Sequence, residues 1–140
     1  MATTTCAVTV KELMTTRVST LGSGDTLDIA DGIMCLGRIR HLPVVEGTAV
    51  VGVVSQRDLF RSALGAALAF GDRDPQRLMR SLDVRDVMSA PAVTIDPGAA
   101  VPEAARTMLE KKIGCLPVVE AGKLVGILTE TDVLRYAMTR

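Results

Sequence analysis

Leu42-Pro43-Val44-Val45-Glu46 occurs a second time as Leu116-Pro117-Val118-Val119-Glu120, and no other feature constrains the fold of this chain as strongly. Downstream, Gly52-Val53-Val54-Ser55-Gln56-Arg57-Asp58 lies over Gly126-Ile127-Leu128-Thr129-Glu130-Thr131-Asp132 without a gap. The offset is 74 residues from Leu42 to Leu116 and again from Asp58 to Asp132. It also aligns Met14 with Met88, Thr20 with Thr94, Gly24 with Gly98, Ala30 with Ala104, Met34 with Met108 and Ile39 with Ile113. A chain built this way repeats one supersecondary unit whose apolar face needs a neighbour.

The pattern within each copy predicts the same order of elements. Val84, Val87 and Met88 stand at i, i+3 and i+4, which predicts a helical turn at the head of the copy, and Val10, Leu13 and Met14 match it. Thr20-Leu21 and Thr94-Ile95 read as very short strands. A helix follows in each copy. Asp25 or Thr26 serves as N-cap to Leu27, Ile29, Ala30, Ile33, Met34 and Leu36 in the first. In the second, Pro102-Glu103 opens the stripe Val101, Ala104, Ala105, Met108 and Leu109, with Gly114 at its end. Gly32 and Gly37 weaken the first helix by roughly 1 kcal/mol each, a loss expected to be exchanged for close packing. Two β-branched runs around Glu46-Gly47-Thr48, and again around Glu120-Ala121-Gly122, predict hairpins. A closing amphipathic helix carries Leu59, Phe60, Leu64 and Leu68 in one copy and Val133, Leu134 and Met138 in the other. Each copy thus reads β-α-β-β-α, a mixed α/β (α+β) class, with copies at 10–66 and 84–140. A helical linker at 67–83 includes a helix from Gln76 to Leu82.

Composition bounds the function. The 140 residues are 48% hydrophobic, enough for a sizeable core, and 16 basic against 16 acidic residues give no net charge to draw the chain onto nucleic acid or a membrane surface. Two Phe, one Tyr and no Trp leave no stacking platform for bases. Cys6, Cys35 and Cys115 form no CxxC pair and accompany a single histidine, so no metal site is expected. They read as unpaired, mostly buried thiols of a reducing cytosol. Without an N-terminal apolar leader or an 18-residue apolar run, the chain reads as cytoplasmic.

With these motifs in this order, each copy resembles a cystathionine β-synthase (CBS) domain and the pair resembles a tandem CBS, or Bateman, module. The resemblance covers Val10 to Arg61 and Val84 to Arg140, leaving no room for a catalytic domain. It implies two repeats packed about a pseudo-twofold axis, with two clefts that accept an adenosine moiety. It further implies a homodimer forming a four-repeat disc.

The resemblance matches Asp58 and Asp132 to the family's ribose-binding aspartate. A carboxylate can accept both hydroxyls of a ribose edge; the plainer alternative is that each aspartate caps the helix beside it. Ser55 and Thr129, three residues earlier, can offer a hydroxyl to sugar or phosphate. Arg57 and Thr131 lie between, and Arg57 is the stronger phosphate candidate. By resemblance, adenine lies against Val53 or Ile127 of one repeat and against Ala30, Ile39 and Arg40, or Ala104, Ile113 and Gly114, of the other. Each of these residues is equally well explained as core. Arg40-His41 supplies cations before the first Leu-Pro-Val-Val, where the second copy has Gly114-Cys115, so the two sites are expected to differ. No nucleophile or triad partner accompanies His41, so no catalytic residue and no catalytic cofactor is expected.

Three functions compete at this level. The first is a stand-alone regulatory module binding AMP, ADP or ATP and signalling through an effector protein. S-adenosylmethionine in place of these nucleotides stays open for the same site. The second is a structural or protein-interaction module whose clefts are empty or used for dimer packing, and the third, an enzyme such as a nucleotide hydrolase, is disfavoured because the motif offers no general base, nucleophile or metal cluster.

Overall fold

In the computed structural model, which describes residues 8–71 and 74–139, the chain forms two compact units that do not follow the repeats. One is Ser19–Ala92; the other joins the segment ending at Val18 to the chain from Val93 onward. The lead of each repeat is therefore built into the body of the other. In chain order the elements are α1 (Val10–Leu13), β1 (Leu21–Gly22), α2 (Leu27–Gly37), β2 (His41–Glu46), β3 (Ala49–Ser55), α3 (Gln56–Phe70), α4 (Pro75–Ser81), a 3-10 turn (Val84–Asp86), α5 (Val101–Lys111), β4 (Cys115–Glu120), β5 (Lys123–Thr129) and α6 (Glu130–Met138).

In the Ser19–Ala92 unit, β2 and β3 form the expected hairpin, turning at Gly47 with φ 65°, and β1 adds in parallel to β2 through Leu21 and Val44. Leu27, Ala30 and Met34 recur at helical spacing on one face of α2 and bury it against Leu42, Val44, Val54 and Leu59. The linker helix belongs to this unit. Asp74 accepts the N–H groups of Gln76 and Arg77, Pro75 takes the first helical position, and Leu78 and Met79 are buried. Burial of a side chain such as Met79 is worth about 1.5–3 kcal/mol, which makes the linker part of the core.

The other unit repeats the hairpin with β4 and β5, where Ala121 and Gly122 both take positive φ, 51° and 78°. Both hairpins carry a register shift at equivalent points, Val44/Val45 and Val118/Val119. Val10 of α1 is fully buried here with Ala104, Met108, Leu116, Val118 and Leu128. The strand expected at Thr94-Ile95 shrinks to a single bridge, in which Ile95 exchanges hydrogen bonds with Pro117 and Val119. The next donor along that ladder would be residue 97, a proline without an N–H.

Several local expectations are corrected. Gly114 does not end α5: Lys112 does, in the left-handed region at φ 56°, as Arg38 ends α2 at φ 53°. A Cβ on Gly32 would meet nothing within 4 Å, so that glycine is not exchanged for packing. Of the predicted α3 stripe only Leu59 is core; Phe60, Leu64 and Leu68 are 59%, 62% and 79% exposed. Leu109, Leu134 and Met138 are exposed as well. Cys115 is buried as expected, Cys35 is exposed, and Cys6 lies outside the described residues. No helix among the described residues is long and apolar enough to cross a membrane.

Candidate functional site

Each Gly-x-x-Ser/Thr-x-x-Asp segment runs off the end of a hairpin strand directly into a helix, and the hydroxyl residue, not the aspartate, is the N-cap. Ser55 caps α3: its Oγ accepts the Asp58 N–H at 3.1 Å, while Asp58 Oδ2 accepts the Ser55 N–H at 2.8 Å. Thr129 and Asp132 repeat this capping box at the start of α6, at 3.4 and 2.9 Å. The reciprocal pair satisfies two N–H groups that a helix start leaves without partners. In both cases the second carboxylate oxygen, Oδ1, accepts no hydrogen bond from the described residues. The two hydroxyls differ. Thr129 donates its own to Asp132 Oδ2 at 3.0 Å, whereas among the described residues the Ser55 hydroxyl is engaged only as an acceptor.

Around Asp58 the fold gathers the polar candidates of the first repeat at one end of one unit. His41 opens β2 opposite Ser55, and the Arg40 carbonyl accepts the N–H of Gln56, the first residue of α3, at 2.8 Å. Arg40 and Arg57 are exposed, and Val53 is half-buried on β3. Ile39 is half-buried against the core; Ala30 is fully buried within it and presents no surface of its own.

The equivalent end of the other unit has the same backbone and different charge. The Gly114 carbonyl accepts the Glu130 N–H at 3.0 Å, and Cys115 stands opposite Thr129. Glu130 and Asp132 put two carboxylates where the first unit has Arg40, His41 and Arg57 with a single aspartate. Burial, with the Glu130 carboxylate adding to it, pushes the Cys115 thiol up to about 12, so the group is an inert neutral one and no redox thiolate. Thr131 is exposed, Ile113 is half-buried, and Ile127 is 8% exposed. Among the described residues no group of His, Cys, Asp and Glu could hold a metal ion.

What sequence reasoning missed is the free edge of each motif strand. Val53 exchanges two hydrogen bonds with Ser89, 3.1 and 2.9 Å, and Ile127 exchanges two with Thr15, both 2.9 Å. Thr15 belongs to the first repeat and Ser89 to the second, so each motif is edged by the lead of the other copy. The one available signal was the alignment of Met14 with Met88, which marks the leads as part of the repeat without saying where they dock.

A family model of the CBS domain matches residues 10–65 and 84–139, and the chain belongs to that family. Among its relatives, a CBS domain-containing protein of Dictyostelium discoideum is 33% identical over 129 residues, 91% of this chain and 89% of the relative. Among solved structures, a Vibrio cholerae protein provisionally assigned to acetoin utilization (AcuB) superposes with TM-score 0.78 at 34% identity, covering 95% of this chain and 92% of that one. CBSX2, solved in complex with AMP, gives TM-score 0.76 at 30% identity, covering 94% and 96%.

Proposed function

We propose that the chain is a regulatory, non-catalytic CBS module that binds an adenine nucleotide through its motif aspartates, and that a partner protein reads its occupancy. The observation that carries this is the state of the two carboxylates. In Asp58 and in Asp132 one oxygen is spent on a capping box that fixes the group, and the other is left as an acceptor for a ribose hydroxyl. The cations Arg40 and Arg57, with His41, favour a phosphate-bearing ligand at the Asp58 end over an uncharged nucleoside. The AMP complex of CBSX2, at 30% identity over nearly the whole length of both chains, supports the same ligand class. A second copy of the chain is the proposed cover for the exposed apolar residues of α3 and α6.

The test is calorimetric titration and thermal unfolding with AMP, ADP, ATP, adenosine and S-adenosylmethionine, on the protein and on Asp58→Ala and Asp132→Ala. Binding to the native state alone stabilises by RT ln(1 + [L]/Kd), about 2.7 kcal/mol at 100 times Kd. A shift with the phosphate-bearing ligands that one aspartate variant removes supports the proposal. No shift with any of them sinks it.

A further inference from the structure

We infer that Met14 and Met88 are positioning residues of the two motifs and act crosswise: Met14, in the first repeat, sets the strand that leads to Asp132, and Met88, in the second, sets the strand that leads to Asp58. The inference deepens the proposed function and rests on it for the ligand, but not for the structural crossing.

The motif glycines locate the effect. A Cβ on Gly126 would stand 2.6 Å from Met14 Sδ and 2.9 Å from the Thr15 carbonyl oxygen; on Gly52 it would stand 2.6 Å from Met88 Sδ and 2.9 Å from the Ser89 carbonyl. Glycine is therefore required because a thioether and a carbonyl lie directly on the strand. The next residue, Ile127 or Val53, is the one locked to Thr15 or Ser89 by paired hydrogen bonds, and it is also the candidate ligand wall. Two residues further on comes the N-cap, Thr129 or Ser55, and then the aspartate. The methionine thus seats a continuous backbone run whose far end holds the carboxylate. Methionine suits the task, because a flexible, polarizable side chain with no branch at Cβ can lie flat against a Cα where a β-branched one would clash.

The experiment combines amide hydrogen exchange with titration of AMP on Met14→Ala, Met88→Ala, Met14→Leu and Met88→Leu, with Asp58→Ala and Asp132→Ala to assign each binding component. Met14→Ala is expected to speed exchange at Thr15 and Ile127 by at least about tenfold while leaving Val53 and Ser89 unchanged, and to weaken the AMP component that Asp132→Ala removes. Met88→Ala is expected to do the reverse, and both leucine variants, close in volume, are expected to restore the native pattern. An effect confined to the same repeat, or spread equally over both motifs, overturns the inference, as does no effect. Crossed exchange without any AMP binding to the native protein overturns the nucleotide proposal and leaves the crossed positioning standing.

Discussion

Asp132 accepts the Thr129 N–H on Oδ2 at 2.9 Å and returns its own N–H to Thr129 Oγ1, a closed pair that Asp58 and Ser55 reproduce 74 residues earlier. The carboxylate matched to ribose recognition is thus also the third residue of a helix it helps to start. The proposed ribose contact and helix initiation would draw on different oxygens of one group, so they need not compete.

Removing either carboxylate therefore costs stability before any ligand is considered. Asp58→Ala and Asp132→Ala should each lower the unfolding free energy by about 1 kcal/mol in urea titrations. A ligand-induced shift in these variants must be measured from their own lower baseline. A variant as stable as the native chain would mean that the capping boxes contribute nothing.

Gly52→Ala and Gly126→Ala should be far more damaging than the usual glycine-to-alanine change. The new methyl would sit 2.6 Å from a methionine sulfur, and although the sulfur can swing aside, the carbonyl at 2.9 Å belongs to a backbone held by two hydrogen bonds. Overpacking of this kind costs about 1–3 kcal/mol. Denaturant midpoints unchanged within error would show that the leads are loosely seated.

The non-glycine residues in the left-handed region give the opposite sign. Arg38, Lys112 and Ala121 hold φ values of 53°, 56° and 51°, where a Cβ is disfavoured by about 1–2 kcal/mol. Glycine loses part of that gain through its freer unfolded state. Lys112→Gly and Ala121→Gly should each raise stability by up to about 1 kcal/mol, read as an increase in denaturation midpoint. A decrease would mean that the side chains make compensating contacts.

Cys115 makes stability depend on pH in the alkaline range. Its thiol is raised from 9.0 to about 12 in the folded chain, so above pH 9 the unfolded state releases a proton that the folded state keeps. Stability from this group is complete below about pH 9 and is lost as pH rises toward 12, with a slope of up to about 1.4 kcal/mol per pH unit. Denaturant titrations between pH 8 and 11 should show a steeper fall for the native chain than for Cys115→Ala. Equal slopes would mean that the thiol ionises in place.

How much of this was legible in the sequence depends on whether the cause was local. The hairpins, the helices and the equivalence of Asp58 with Asp132 follow from turn residues, periodicity and a constant offset, all of which act over a few residues. The docking of Thr15 on Ile127 does not, because a strand edge can accept any extended lead and nothing in the sequence of either segment names its partner. The fate of the α3 stripe was equally hidden. Leu59, Phe60, Leu64 and Leu68 form a good apolar pattern, but of these the unit buries only Leu59, and α4 supplies Met79 to the same core. The difference between Ser55 and Thr129 as donors required coordinates, since the residue types alone are interchangeable as caps.

The exposed remainder of that stripe leads to the last prediction. Phe60 and Leu64 on α3 are equivalent by the repeat to Leu134 and Met138 on α6, and all four are more than half exposed. From Ser62 to Ala69, α3 carries no charged residue at all. Two units that independently keep apolar side chains on the outer face of the same helix offer like surfaces to a second copy, and burying each leucine is worth about 1.5–3 kcal/mol. A stable pairing covers about 800 Å² on each partner. The native chain is expected to sediment as a dimer at micromolar concentration. Leu64→Asp and Met138→Asp should each shift it to monomer without unfolding it, because neither side chain is part of a core. If the native chain sediments as a monomer, the faces serve some other partner and the second-copy proposal fails.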